Sequence, residues 1–180
     1  SVVGALCSKI ILQEESLFNF VLKQSFDYKN VPFYILLGIL AGFISLYYAR
    51  TYKRTEQRIH RWTMNGYLKA ALGGLLLLII YFVFPPLFGE GYNSVKSVAN
   101  GTLNSFTDNT TLFSIFTDNW GIIAFTGLIV LFKPVAAGIT IGAGGNGGNF
   151  APSLFTGAYL GFFFSKLLNT TPWIKIPEGN

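Results

Sequence analysis

Apolar residues along this chain gather into long runs separated by short polar stretches, a pattern that predicts membrane helices. The first run, Val2 to Leu12, ends at Gln13-Glu14-Glu15. It is too short to cross a bilayer core of ~30 Å alone, so it predicts the end of a helix or half of one. A polar connector follows through Phe26-Asp27-Tyr28-Lys29-Asn30. From Pro32 to Ala49 the sequence carries no charge, and it then continues into a basic run that closes at Trp62. No proline or glycine interrupts it after Gly42. One helix of roughly 30 residues and about 45 Å is predicted, enough to cross at a tilt and protrude. The third run, about Asn65 to Phe84, contains Leu75-Leu76-Leu77-Leu78-Ile79-Ile80 and stops at Pro85-Pro86. A turn at Phe88-Gly89-Glu90-Gly91-Tyr92, a short helix over Ser94 to Asn100 and a polar loop from Gly101 to Thr111 are expected next.

The fourth run begins near Thr117-Asp118-Asn119, with Asp118 as a candidate cap, and reaches about Ile141. Lys133-Pro134 interrupts it, and proline inside a helix removes one hydrogen bond and typically kinks it. The fifth run follows a glycine-rich stretch, places Pro152 in a first turn where its missing N–H costs nothing, and continues to about Leu168. Its apolar length is short for a full crossing, which predicts a helix start within the membrane. Such a break is tolerated only where protein or an aqueous cavity surrounds the free backbone.

Composition supports the membrane reading. Of 180 residues, 51% are hydrophobic and only 12% charged, against about 25% charged in ordinary soluble domains. The net charge of +5 matters less than its placement, because Lys and Arg crowd between Arg50 and Lys69. That is membrane topology, with the basic end of the Pro32–Trp62 helix cytoplasmic and Trp62 near the headgroups, not a nucleic-acid stripe. A solvated helix end is the plain reading of these cations, and contact with anionic lipid the alternative. Cys7 and His60 are the only residues of their types, which excludes an internal disulfide, a cysteine-rich metal site and a histidine-ligated zinc. The chain opens mid-pattern without an initiator Met or a basic leader, so a segment of a longer protein without a signal peptide is expected.

The candidate chemistry lies in Gly142-Ala143-Gly144-Gly145-Asn146-Gly147-Gly148-Asn149-Phe150-Ala151-Pro152, inside a stretch without Asp, Glu, Lys or Arg from Pro134 to Ser165. Glycine lets backbone N–H groups approach a ligand. A helix start leaves about four N–H groups without intrahelical partners, and its dipole favours negative charge. At membrane depth this predicts an anion site held without a side-chain cation, as transporters arrange at half-helix N-termini.

Gly142-x-Gly144-x-x-Gly147 also matches a dinucleotide fingerprint, but an apolar helix precedes it and the next acidic residue is the distant Glu178. No Gly-Lys-Ser/Thr occurs. An enzyme is not expected, because one His, one Cys and eight scattered carboxylates supply no nucleophile–base pair or metal set. Lys133 is the one cation within an apolar run and the candidate electrostatic residue. Its alternatives are snorkelling and bonding a carbonyl freed by Pro134. Glu90 reads as a solvated carboxylate before a proton-route residue. Gly38-x-x-x-Gly42 and Gly157-x-x-x-Gly161 predict close internal helix packing, with subunit contact as the alternative. Sequon matches at Asn100, Asn109 and Asn169 are short patterns that arise by chance.

Gly147-Gly148-Asn149-Phe150-Ala151-Pro152 resembles the GxFxP pattern of the CLC chloride channel and transporter family. The flanking Lys133-Pro134 and Ser153-Leu154-Phe155-Thr156-Gly157-Ala158, the turn Gly89-Glu90-Gly91-Tyr92 and the long helix with a basic end are similar to that family too. The resemblance covers most of the chain. It implies an all-α, polytopic integral membrane protein with tilted and broken helices, part of a CLC-type inverted-repeat fold. Residues 1–30 would be the end of a membrane helix plus a connector, and 31–180 helices of the second half, with the motif helix start at 148–152.

In that family, helix starts from two inverted halves converge on the ion path. Carried over by position, the backbone amides of Asn149, Phe150 and Ala151 would contact chloride, Gly148 would permit the close turn and Pro152 would mark the helix start. Partial charges on N–H groups hold an ion without trapping it. Asn149 departs from the aliphatic residue common there. The backbone contact is expected to survive, with the side chain adding an N–H donor or altering halide preference. Phe150 either packs against the ion path or is a core aromatic. No GREGP-like or GSGIP-like segment and no late pore tyrosine occurs in this chain.

The resemblance therefore implies chloride or other halide transport, by a channel or by chloride/proton exchange, within a bacterial inner (plasma) membrane. Chloride is the transported ligand, no cofactor or metal is expected, and the partners are protons, lipid, the remaining helices of the parent protein and a second copy in a homodimer, with no nucleic acid. A structural membrane module, or a transporter for another anion such as fluoride, is the alternative.

Overall fold

Residues 30–89 and 119–170 are described by the computed structural model. They form four helices, and each falls on one of the apolar runs. Helix α1 spans Val31–His60 with Pro32 in its first turn. Helix α2 spans Gly66–Val83. It ends where Pro85 and Pro86 cannot donate to the preceding turn, and a single 3-10 turn, Pro85–Leu87, follows. Helix α3 spans Asn119–Gly142 and runs through Pro134. Helix α4 spans Phe150–Asn169. The first apolar run, Glu90, the short helix over 94–100, Asp118 as a cap and Glu178 lie outside the described residues.

Three helices, α1, α2 and α3, are long and apolar enough to cross a membrane. Of these, α3 is the hub. It packs against α1, α2, α4 and the 3-10 turn, and more than half of its membrane-length window is buried against the rest of the chain, whereas α1 and α2 bury almost none of theirs. Between helices in lipid, apolar burial supplies little drive, because lipid tails are as apolar as leucine. Close packing and hydrogen bonds must do the work.

The close packing is at Gly138-x-x-x-Gly142 of α3. A methyl group on Gly138 would lie 2.8 Å from Thr55 Cβ and 2.9 Å from the Tyr52 carbonyl oxygen. One on Gly142 would lie 2.8 Å from both the Glu56 carbonyl oxygen and Ile59 Cβ. Two turns of α3 therefore rest directly on the backbone of α1. Where α2 crosses, Gly73 faces Ala143 with no room for a side chain.

The small-residue pairs expected to serve this purpose meet no facing helix among the described residues. Around Gly38, Gly42, Gly157 and Gly161 a methyl group would meet nothing within 4 Å among the described residues. Gly38 and Gly42 share their side of α1 with Ile35, Ile39, Phe43 and Leu46, all exposed. Spacing alone names a flat face, and only a facing helix turns it into a contact.

Farther along α3, Leu87, Phe125, Ile129, Val130, Phe155, Tyr159 and Leu160 form one buried cluster that joins the 3-10 turn, α3 and α4. Phe84 bridges it to α2, with ring centroids 5.7 Å from Phe125 and 5.3 Å from Phe132. The Tyr47 hydroxyl donates to the Leu131 carbonyl oxygen at 3.0 Å, tying α1 to α3 a second time. Thr126 and Thr140 return their hydroxyls to the carbonyls of Ile122 and Ala136 one turn earlier, so neither polar group is left bare in α3.

Gly142→Val should force α1 and α3 apart. Overpacking of this kind typically costs about 1–3 kcal/mol. We expect a lower midpoint for loss of the monodisperse peak when the detergent-solubilised parent protein is heated and run on size exclusion, with Gly142→Ala falling between the two.

Candidate anion site at the start of α4

The glycine-rich run divides into two parts with different tasks. Its front half ends α3. The Gly144 N–H donates to the Ile141 carbonyl at 3.1 Å and the Gly145 N–H to the Thr140 carbonyl at 2.8 Å. Gly144 has φ +101°, the left-handed value that a residue with a side chain rarely adopts. Together these are a Schellman cap. A side chain at Gly145 is also excluded, since its first carbon would lie 2.6 Å from the Thr140 carbonyl oxygen. Gly142, Gly144 and Gly145 thus serve packing and capping, a reading the sequence pattern missed by treating the whole run as a ligand cradle.

The rear half leads into α4. Gly147, Gly148, Asn149 and Phe150 are exposed, and Ala151 and Pro152 half-buried. A methyl group on Gly148 would meet nothing within 4 Å among the described residues. Asn149 is the residue that precedes the helix, and its carbonyl accepts the Ser153 N–H at 3.2 Å. Pro152 is the third helical residue and has no N–H to offer. By position, the N–H groups of Phe150 and Ala151 precede the first intrahelical donor and have no partner within the helix. The six expected site residues, Gly148 to Pro152 and Lys133, therefore separate. Gly148 to Pro152 form one continuous helix start, and Lys133 belongs elsewhere.

Asn149 does not cap its own helix through its side chain. Its Oδ1 instead accepts a hydrogen bond of 2.6 Å from the Tyr48 hydroxyl of α1. Tyr48 is a residue that sequence reasoning passed over. The one available signal was a tyrosine pair, Tyr47-Tyr48, at the end of an uncharged run, because a buried tyrosine hydroxyl usually needs a partner. Phe150 is 77% exposed among the described residues.

Lys133 is 2% exposed, which removes snorkelling. Its ammonium donates to the carbonyl oxygens of Leu87 and Gly89, both at 3.0 Å, and lies 4.3 Å above the centre of the Phe155 ring. It bonds freed carbonyls, but not the Val130 carbonyl that Pro134 releases one turn earlier. The acceptors come instead from the irregular backbone beyond α2, where prolines and a turn leave carbonyls unclaimed. A lysine in an apolar interior is stable only when its charge is met by such groups. Among the described residues no group of His, Cys, Asp and Glu is arranged to hold a metal ion.

An exposed glycine approach into an uncapped helix start, set in a bundle of apolar helices, is accompanied by a family match over nearly the whole chain. Residues 1–178 match the family described as voltage gated chloride channel. The chain belongs to the voltage gated chloride channel family. Integral membrane placement follows from that family and from the three apolar helices.

The proteins similar to it are distant. An uncharacterised protein of Methanocaldococcus jannaschii is 25% identical over 98% of this chain and 40% of its own length. The chloride channel protein CLC-f of Arabidopsis thaliana is 26% identical over 91% of this chain and 20% of its own length. The voltage-gated ClC-type chloride channel ClcB of Salmonella typhimurium is 24% identical over 93% of this chain and 36% of its own length. The chain thus spans two-fifths or less of the length of these relatives. No solved structure gives a significant match.

Within this voltage gated chloride channel family member, Lys133→Met should leave the Leu87 and Gly89 carbonyls without this donor, at about 1–3 kcal/mol for the buried Leu87 carbonyl and less for the exposed Gly89. The expected result is a clear loss of thermal stability of the parent protein in detergent, with Lys133→Arg retaining part of it. Equal stability of Lys133→Met and wild type would contradict the role of this cluster.

Proposed function

We propose that this chain forms part of a transmembrane chloride pathway, operating as a channel or by chloride/proton exchange, and that the N–H groups of Asn149, Phe150 and Ala151 bind the anion. The observation that carries the reading is the start of α4. It is reached by exposed glycines and left without a side-chain cap, in a family described as voltage gated chloride channel. The physical logic is differential. Amide dipoles and a helix terminus hold a monovalent anion loosely enough for release, whereas a lysine at the same point would retain it. Lys133, engaged with two carbonyls and a ring, acts in this reading through the packing behind α4.

The remaining helices of the parent protein, which complete the ion's surroundings, lipid and a second copy in a homodimer belong to the same reading, as does a cytoplasmic basic end of α1 in a bacterial inner membrane. The alternative, a purely structural module, draws support from the front half of the glycine run, where packing and capping explain each glycine. It has no account of the exposed rear half.

The test uses the full-length parent protein in chloride-loaded liposomes. Ala151→Pro removes a single N–H at a first-turn position where proline is tolerated. Losing one N–H donor to an anion is expected to lower chloride affinity by about tenfold, read as a raised half-saturation for chloride efflux with the protein still monodisperse. Efflux indifferent to Ala151→Pro and to replacement of 148–152 would remove the reading.

A further inference from the structure

We propose that Tyr48 is a positioning residue that keeps Asn149 from capping its own helix and so leaves the first-turn amides of α4 available to the anion. The inference rests on the chloride reading of this helix start and adds a residue from a different helix to it.

Asparagine is among the strongest N-cap residues. Its side-chain oxygen ordinarily accepts the N–H of the second or third helical residue, with its own backbone in the extended region. Here the second helical residue is Ala151 and the third is Pro152, which has no N–H. A self-capping Asn149 could therefore take only the Ala151 N–H, one of the groups assigned to the anion. Asparagine at this place is a built-in competitor for the site, a problem that an aliphatic residue does not pose.

The structure holds the competitor off in two ways. The Tyr48 hydroxyl, on a side chain only 6% exposed, donates to Asn149 Oδ1 at 2.6 Å. The Asn149 backbone sits at φ −90° and ψ −6°, a helical value from which its side chain does not cap. Donation to Asn149 Oδ1 from α1 favours the side-chain orientation turned away from the capping geometry. It also covers a partial negative charge that would otherwise stand beside the anion. Tyr48 is held in place independently of Asn149. Its neighbour Tyr47 is bonded to Leu131 of α3, and its ring lies nearly parallel to that of Tyr52 one turn on, with centroids 6.3 Å apart.

The experiment is a double-mutant cycle on the full-length parent protein, with Tyr48→Phe, Asn149→Ala and the pair. Chloride binding is measured by calorimetry in detergent, and exchange of the Ala151 amide hydrogen is followed in chloride-free buffer. In the presence of Asn149, Tyr48→Phe should weaken chloride binding by about fivefold and slow Ala151 exchange by a similar factor, the weight of one hydrogen bond. In the Asn149→Ala background the same substitution should change either quantity by less than about twofold. A tyrosine that merely stabilised the fold would have equal effects in both backgrounds, and that result overturns the proposal. So does a Tyr48→Phe variant that binds chloride as wild type does. If wild type binds no chloride, the anion reading of α4 fails and this inference falls with it, an outcome distinct from equal losses in the two backgrounds.

Discussion

The backbone contact between α1 and α3 is the constraint from which the other placements follow. Glycine at 138 and 142 lets two turns of α3 lie on Thr55, Tyr52, Glu56 and Ile59 without intervening side chains. At that separation the hydroxyls of consecutive tyrosines reach two different elements: Tyr47 the Leu131 carbonyl of α3, and Tyr48 the Asn149 side chain at the start of α4. A wider gap would strand both hydroxyls in an apolar layer, where an unmet polar group is expensive. Close approach and hydrogen bonding are therefore one arrangement. In lipid, where apolar burial gives little preference for one helix partner over another, this coupling selects the geometry.

Lys133 organises the opposite side of α3 by another route. The chain beyond α2 is irregular because Pro85 and Pro86 end the helix and Gly89 turns with φ +66°. Irregular backbone leaves carbonyls without helical partners, and a buried one such as that of Leu87 needs a donor. The ammonium of Lys133 supplies donors to two of these carbonyls while the Phe155 ring covers its remaining face. Charge and irregular backbone, each unfavourable alone, are stable together. The knot joins the turn after α2 to α3 and to the second turn of α4, so the helix carrying the candidate site is anchored from behind.

What could be read from the sequence follows the range over which each signal acts. Helix boundaries are local: Pro85-Pro86, Pro152 and the glycines beyond Ile141 each stop or start a helix through their own backbone chemistry, and the observed ends fall within a few residues of those expected. The motif at 148–152 is local as well, being a contiguous stretch. Contacts across the bundle are not. Gly38 and Gly157 carry the same spacing as Gly138, yet among the described residues only Gly138 of the three has a helix opposite it. The partners of Lys133 and Asn149 lie more than 40 and 100 residues away in sequence, and no spacing rule points to them. Glycine is ambiguous for a further reason. The same residue type ends α3, admits α1 and leads into α4, and the letters of 142–148 do not distinguish those uses.

The cap on α3 also shapes the electric field of the linker. Within eight residues the chain passes from the negative end of one helix macrodipole to the positive end of the next. Left alone, the two poles would largely offset each other for any charge nearby. The carbonyls of Ile139, Thr140 and Ile141, however, accept hydrogen bonds from Ala143, Gly145 and Gly144, which blunts the negative pole. The positive pole of α4 has no matching side-chain cap. The linker thereby behaves as a one-sided electrode, its polarity set by which of two adjacent helix ends is insulated and which is left bare.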